Sequence, residues 1–147
     1  MKIEAIQPQD IPELVEMARQ AHQESKYRHL PFSPKSVEQT FVEHCNSPNH
    51  IAVKVVSDSI AGFFLGCMAG MVFTDTPIGM ETSYYVRPEY RGSRCFLLLI
   101  RAFQAWCKEK SLTPFLLPHF AEDNSKTFSA LEKLGFKCVG RFYSGEF

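Results

Sequence analysis

The chain has 147 residues, of which 45% are apolar, thirteen are phenylalanine and 22% are charged; this is enough to bury one core and too apolar for a disordered chain. Sixteen basic and sixteen acidic side chains cancel to a formal net charge of zero, which argues against a general nucleic-acid binder with its basic surplus. The charge is nevertheless divided: residues 1–75 hold 6 Lys/Arg against 9 Asp/Glu, and residues 76–147 hold 10 against 7, so the C-terminal half suits a small polyanionic ligand.

Lys2 to Ile6 reads as a short edge strand. Asp10 is the predicted N-cap of a first helix, with Pro12 in its first turn and Ile11, Leu14, Val15, Ala18 and Ala21 at helical spacing. Tyr27 to Phe32, with Pro31 and mixed polarity, reads as a loop. Ser33-Pro34 starts a second helix that carries Val37, Phe41 and Cys45 on one face, and Asn46-Ser47-Pro48-Asn49 ends it. Ile51 to Val56 and Ile60 to Phe73 form a predicted hairpin about Ser57-Asp58-Ser59. Gly62, Gly66 and Gly70 in the longer strand point to bulges or close backbone approach. The uncharged stretch from Ser59 to Thr74 is too short and too glycine-interrupted for a membrane span, which takes ~20 residues. A turn is expected at Asp75-Thr76-Pro77, followed by a strand from Met80 to Val86.

The run Val86-Arg87-Pro88-Glu89-Tyr90-Arg91-Gly92-Ser93-Arg94-Cys95 stops that strand at a proline and opens a helix from a basic turn. Free N–H groups and the positive dipole end of such a helix can receive an anion such as pyrophosphate. The alternative is an ordinary strand-to-helix connection with arginines facing water. The helix, Ser93 to Lys110, carries Phe96, Leu99, Ile100, Phe103 and Cys107 as one apolar stripe. Thr113 to Leu117 is the next strand, Ser125 to Leu134 a short helix closed by Gly135, and Phe136 to Tyr143 a last strand. The element order β-α-α-β-β-β-α-β-α-β implies a mixed α+β sheet in one domain, residues 1–147, with a parallel pair in its C-terminal half, where ligands favour the carboxyl ends of strands. Five scattered cysteines form no C-x-x-C pair, and no metal-ligand spacing is completed. Their odd number and the lack of a signal peptide point to reduced thiols in the cytoplasm.

Two segments, Tyr84-Tyr85-Val86-Arg87-Pro88-Glu89-Tyr90-Arg91-Gly92 and Asp123-Asn124 followed by Leu131-Glu132-Lys133-Leu134-Gly135-Phe136, resemble the GNAT superfamily of N-acetyltransferases. The resemblance covers nearly the whole chain in element order. It implies a mostly antiparallel sheet of six to seven strands with about four helices, splayed between the fourth and fifth strands. It also implies acetyl-CoA as co-substrate and a primary amine as acceptor. The backbone of Tyr84, Tyr85 and Val86 would pair with the pantetheine arm. Arg91 and the amides of Gly92, Ser93, Arg94, Cys95, Phe96 and Leu97 would cradle the pyrophosphate, and Asn124 would contact the pantetheine. The turn departs from the family's usual form: Arg94 and Phe96 stand at places normally held by small residues. A tyrosine often found on the last short helix, where it protonates the leaving thiolate, is replaced by Leu131.

Acyl transfer to an amine needs a base and stabilisation of an oxyanion. Glu81, on the strand that leads to the turn, is the first candidate base, with a strand-end charge as its alternative. His119, just past the Thr113–Leu117 strand, is the second, with a turn-stabilising histidine as its alternative. Tyr143, or solvent, would replace the missing tyrosine, and a strand N–H near Val86 would hold the oxyanion. Tyr84 and Tyr85 point to opposite faces. Cys95, at a helix start, is open to a lowered pKa, although a small core residue fits it better. The acceptor is not coded in any readable motif. A non-catalytic CoA-binding or interaction module is the competing function, and dimerisation through the Ile60–Phe73 strand or the C-terminus is compatible with the sequence.

Overall fold

The structure, a computed structural model, describes residues 1–117, 125–140 and 143–145. Five strands form one sheet in the order β1 (Lys2–Ala5), β2 (His50–Val56), β3 (Ile60–Met71), β4 (Thr74–Val86) and β5 (Thr113–Phe115). All pairs are antiparallel except β4 with β5. The helices are α1 (Ile11–Glu24), α2 (Pro34–Asn46), α3 (Cys95–Glu109) and α4 (Ser125–Lys133). Among the described residues, no helix is long and apolar enough to cross a membrane.

Strand alternation sends side chains to two faces. On one face, Leu14 and Met17 of α1 and Phe41 of α2 pack on Phe63, Leu65 and Tyr85. On the other, Leu99, Ile100 and Phe103 of α3 pack on Val55, Ala61, Phe64 and Tyr84, and Leu131 of α4 closes this side. The apolar stripe predicted for α3 is therefore its core face. Ser33 caps α2 by accepting the Ser36 N–H on its side chain. Ser33→Ala is expected to lower stability by about 1 kcal/mol, read as a denaturation midpoint. α4 ends at Gly135 as expected, with the Phe136 N–H donating to Leu131 O across it.

Asp10 is the N-cap residue of α1 as expected, but it makes no side-chain bond to the helix: its carboxylate turns back to accept the Gln7 N–H at 2.7 Å and to pair with buried Lys54 at 2.6 Å. The β3–β4 turn is Val72-Phe73, closed by the Met71–Thr74 pair, rather than Asp75-Thr76-Pro77. Pro77 falls inside β4 where the register shifts between Ala69 and Met71, so no regular ladder bond needs its missing N–H. Finally, the sheet has five strands among the described residues, against six to seven expected, because residues 136–140 form no strand. A further strand needs a partner edge, and β5 offers only three residues. The β4–β5 ladder runs Ile78–Thr113, Gly79–Pro114 and Met80–Phe115 and then ends, while β4 continues to Val86. This is where the sheet splays.

Candidate active site

Past Met80 the outer edge of β4 has no strand partner among the described residues. The Arg87 N–H donates to Ala61 O on the β3 side. By alternation, the N–H and C=O groups of Val86 and Tyr84 therefore face the open edge. A short 3-10 turn, Pro88–Tyr90, then leads into α3. Gly92 adopts φ +82°, which a side chain would strain. The Cys95 N–H is taken by Ser93 Oγ at 3.1 Å. The N–H groups of Gly92, Arg94, Phe96 and Leu97 carry no hydrogen bond among the described residues. Four unspent donors thus sit together at a helix start.

Three of the four residues, Gly92, Phe96 and Leu97, line a cleft of about 460 Å³ between the end of β4, this turn and α4, whose lining also includes Tyr84, Val86, Arg91 and Ser93. Of the residues expected at a cofactor, Tyr85 also lines it, whereas Arg94 and Cys95 do not. The Arg94 guanidinium reaches away to Met1 O at 3.4 Å. Cys95 is fully buried, and burial pushes its thiol up to about 11, the reverse of a lowered pKa. Phe96 leans on the Tyr84 ring, with centroids 5.6 Å apart, and so forms part of the cleft wall. The Arg91 side chain is already engaged: Nε donates to Val86 O at 3.0 Å and Nη2 to Glu24 Oε2 at 2.6 Å. Tyr85 donates its hydroxyl to the other Glu24 oxygen at 2.7 Å. Burial and this bond push Tyr85 up to about 12. Because Glu24 is partly exposed, Tyr85→Phe should cost only about 1 kcal/mol, measurable by chemical denaturation.

Glu81 is 2% exposed. It lies where β4 and β5 part, and its Oε2 accepts the Leu117 N–H at 2.8 Å. Burial raises its carboxyl to about 8, opposed by that hydrogen bond. Burial, and then the nearby Glu81, also raise Tyr84. The next residue, Thr82, sits at a bulge, since Leu65 pairs with Ser83 and Gly66 with Glu81. His44 Nδ1 is 2.8 Å from Thr40 O, which can only accept, so Nδ1 holds the proton and Nε2 accepts the Thr82 hydroxyl at 2.9 Å. Burial lowers the His44 pKa accordingly.

His119 and Asn124 lie outside the described residues. Tyr143 is 89% exposed and lines neither this cleft nor the cavity on the other face of the sheet. Residues 136–140, expected to begin the strand that carries it, form no strand. Leu131 is core. Lys126 and Thr127, at the start of α4, line the cleft and were not singled out in the sequence. Their place directly after Asn124 was the available signal. Glu24, Thr82 and His44 gave none, because their partners are distant in the chain.

On the α1/α2 face, a cavity of about 370 Å³ opens over Phe63, Leu65 and Ser83. Ser83 neighbours Tyr84 on β4, so the two hollows flank one stretch of strand.

The family model for an acetyltransferase (GNAT) domain matches residues 1–137. No curated protein sequence matches the chain. Among solved structures, the aminoglycoside antibiotic 6'-N-acetyltransferase of Acinetobacter haemolyticus is 21% identical with a TM-score of 0.73, covering 100% of this chain and 99% of its own. A second such enzyme, in complex with a CoA–acetylneamine bisubstrate analogue, is 17% identical with a TM-score of 0.73, covering 99% and 98%. A transcriptional regulator from Bacillus halodurans is 16% identical with a TM-score of 0.77, covering 99% of both chains. At these identities the likeness is one of fold.

Proposed function

Because the chain belongs to the GNAT acetyltransferase family, we propose that it moves the acetyl group of acetyl-CoA to a primary amine by direct attack in a ternary complex, in the cytoplasm. The observation that carries this reading is the sequence of features along one strand: a buried carboxyl of raised pKa, a bulge, an open edge and four unspent amides. The amides and the basic turn fit a pyrophosphate, and the open edge of Tyr84 to Val86 fits an extended amide-bearing arm, which would add as a strand does. Bound acetyl-CoA supplies an activated thioester.

The residues of the chain do the rest. Gly92, Arg94, Phe96 and Leu97 offer backbone donors, and Lys126 adds a charge at the cleft. The reading assigns the bulge beside Thr82 to polarising the thioester carbonyl, one turn of the pleat from the base. Glu81 takes the proton of the incoming ammonium, directly or through a water. A carboxyl near pH 8 is well matched to an amine, whereas an ordinary carboxylate is a weak base. With Leu131 in the core, the leaving thiolate takes its proton from solvent.

Calorimetry with CoA, followed by free-thiol release from acetyl-CoA over an amine panel, tests the reading. Micromolar binding and amine-dependent release are expected. Binding without release from any amine would shift the protein to a non-catalytic CoA-binding role, and no binding would end the reading.

A further inference from the structure

We infer that the 370 Å³ cavity between α1, α2 and the sheet takes the apolar body of an acceptor with a single amine, an aryl- or alkyl-monoamine, and rejects polycationic amino sugars. The reaction at this cavity rests on the transferase reading above; the preference rests on the cavity alone.

No Asp, Glu, Lys or Arg is among its described lining residues. Its floor is Phe41, Phe63 and Leu65, all fully buried, with the two rings edge to face at 5.2 Å. The hydroxyls on its walls are mostly spent within the protein. Ser25 Oγ donates to His22 O at 2.8 Å and accepts the Tyr27 N–H. Ser33 Oγ donates to Ser36 Oγ, and Thr40 Oγ1 donates to Ser36 O. Ser83, beside the bulge, is a lining hydroxyl with no such bond among the described residues. The polar end of the cavity is therefore the Ser83 end, and Ser83 follows Glu81 and Thr82 along β4. At the rim, His22 packs on Phe32 at 5.4 Å, and the Arg19 guanidinium covers that ring at 4.6 Å while pairing with Glu16. The mouth thus carries no surplus negative charge.

Each extra ammonium of an amino sugar or polyamine would lose water here and meet no carboxylate among the described lining residues, a cost of several kcal/mol per charge. A monoamine carries one charge, which it must shed anyway before attack. An aryl or alkyl body gains from the apolar floor, and one amine reaches the polar end.

The test compares 2-phenylethylamine and hexylamine with neamine and spermidine as acceptors for the full chain, by thiol release. The monoamines should exceed the polycations about 100-fold in kcat/KM; equal or reversed ranking overturns the inference. Binding is read apart from turnover by the fluorescence of a Phe32→Trp variant saturated with CoA. 2-Phenylethylamine should bind at least about ten-fold tighter than neamine, and the opposite order overturns the inference. If no amine releases thiol, the transferase reading fails on its own, and the fluorescence ranking still decides the preference of the cavity. Ser36→Asp places a carboxylate on the wall, in the first turn of α2, where it suits the helix dipole. It should narrow the gap between spermidine and hexylamine about ten-fold; an unchanged gap overturns the charge argument.

Discussion

Glu81→Gln will lower kcat about 100-fold while making the protein more stable at alkaline pH. Glutamine keeps an oxygen to accept the Leu117 N–H but cannot take a proton from an ammonium. The stability effect follows from the raised carboxyl. Below the ordinary value of 4.5 both folded and unfolded chains hold the proton, and the native state bears no burial cost. As pH rises from 4.5 to about 8, the unfolded chain ionises and the folded one resists, so native stability is lost across that window. Glutamine removes the loss, with a gain on the order of 5 kcal/mol at pH 9 and little change at pH 4. Denaturation midpoints at the two pH values, with kcat beside them, check both halves. The wild-type rate should climb with pH through a midpoint near the same value of about 8. An unchanged kcat in the variant would remove Glu81 as the base and leave His119 as the remaining candidate.

Gly62→Ala will cost about 2–3 kcal/mol and weaken CoA binding at least about ten-fold. A Cβ at Gly62 would lie 2.7 Å from Tyr85 O, 3.0 Å from Cys95 Sγ and 3.3 Å from Leu99 Cδ1. The carbonyl belongs to the β3–β4 ladder and cannot yield. β3 must shift against it, and the helix contacts at Cys95 and Leu99 must give as well, Cys95 being the first residue of α3. The missing side chain on β3 thus seats the start of α3 against the sheet, and with it the four unspent amides. Gly70→Ala is the control, since a Cβ there meets nothing within 4 Å. Urea titration and CoA calorimetry on the two variants separate a local clash from a general intolerance of side chains in β3. Equal CoA affinity in Gly62→Ala would detach the amide cluster from cofactor binding.

The elements that were legible from the sequence are those whose signal is local. The stripe from Phe96 to Cys107 repeats with the helical period because one face is buried, and Ser33-Pro34 names its own helix start. The Val72-Phe73 turn was not legible. Both side chains are almost fully exposed, at 96% and 91%, and neither is a turn former, whereas the turn-like Asp75-Thr76-Pro77 falls in a register shift. Residues 136–140, which form no strand, show the same limit, because an alternating pattern becomes a strand only where an edge waits for it. At the site, strand order alone made Glu81 a candidate. Its depth was hidden, since the Leu117 segment that covers it comes from much further along the chain. The Tyr85–Glu24–Arg91 clasp and the His44–Thr82 bond join helices to strands in the same long-range way. They are products of packing, and no spacing in the sequence announces them.

The open edge of β4 has a second consequence. A strand edge with no strand beside it is a template for another chain. Arg91 counters that by laying a charged group over the Val86 carbonyl. The same guanidinium that borders the cleft therefore shields part of the strand edge from another chain.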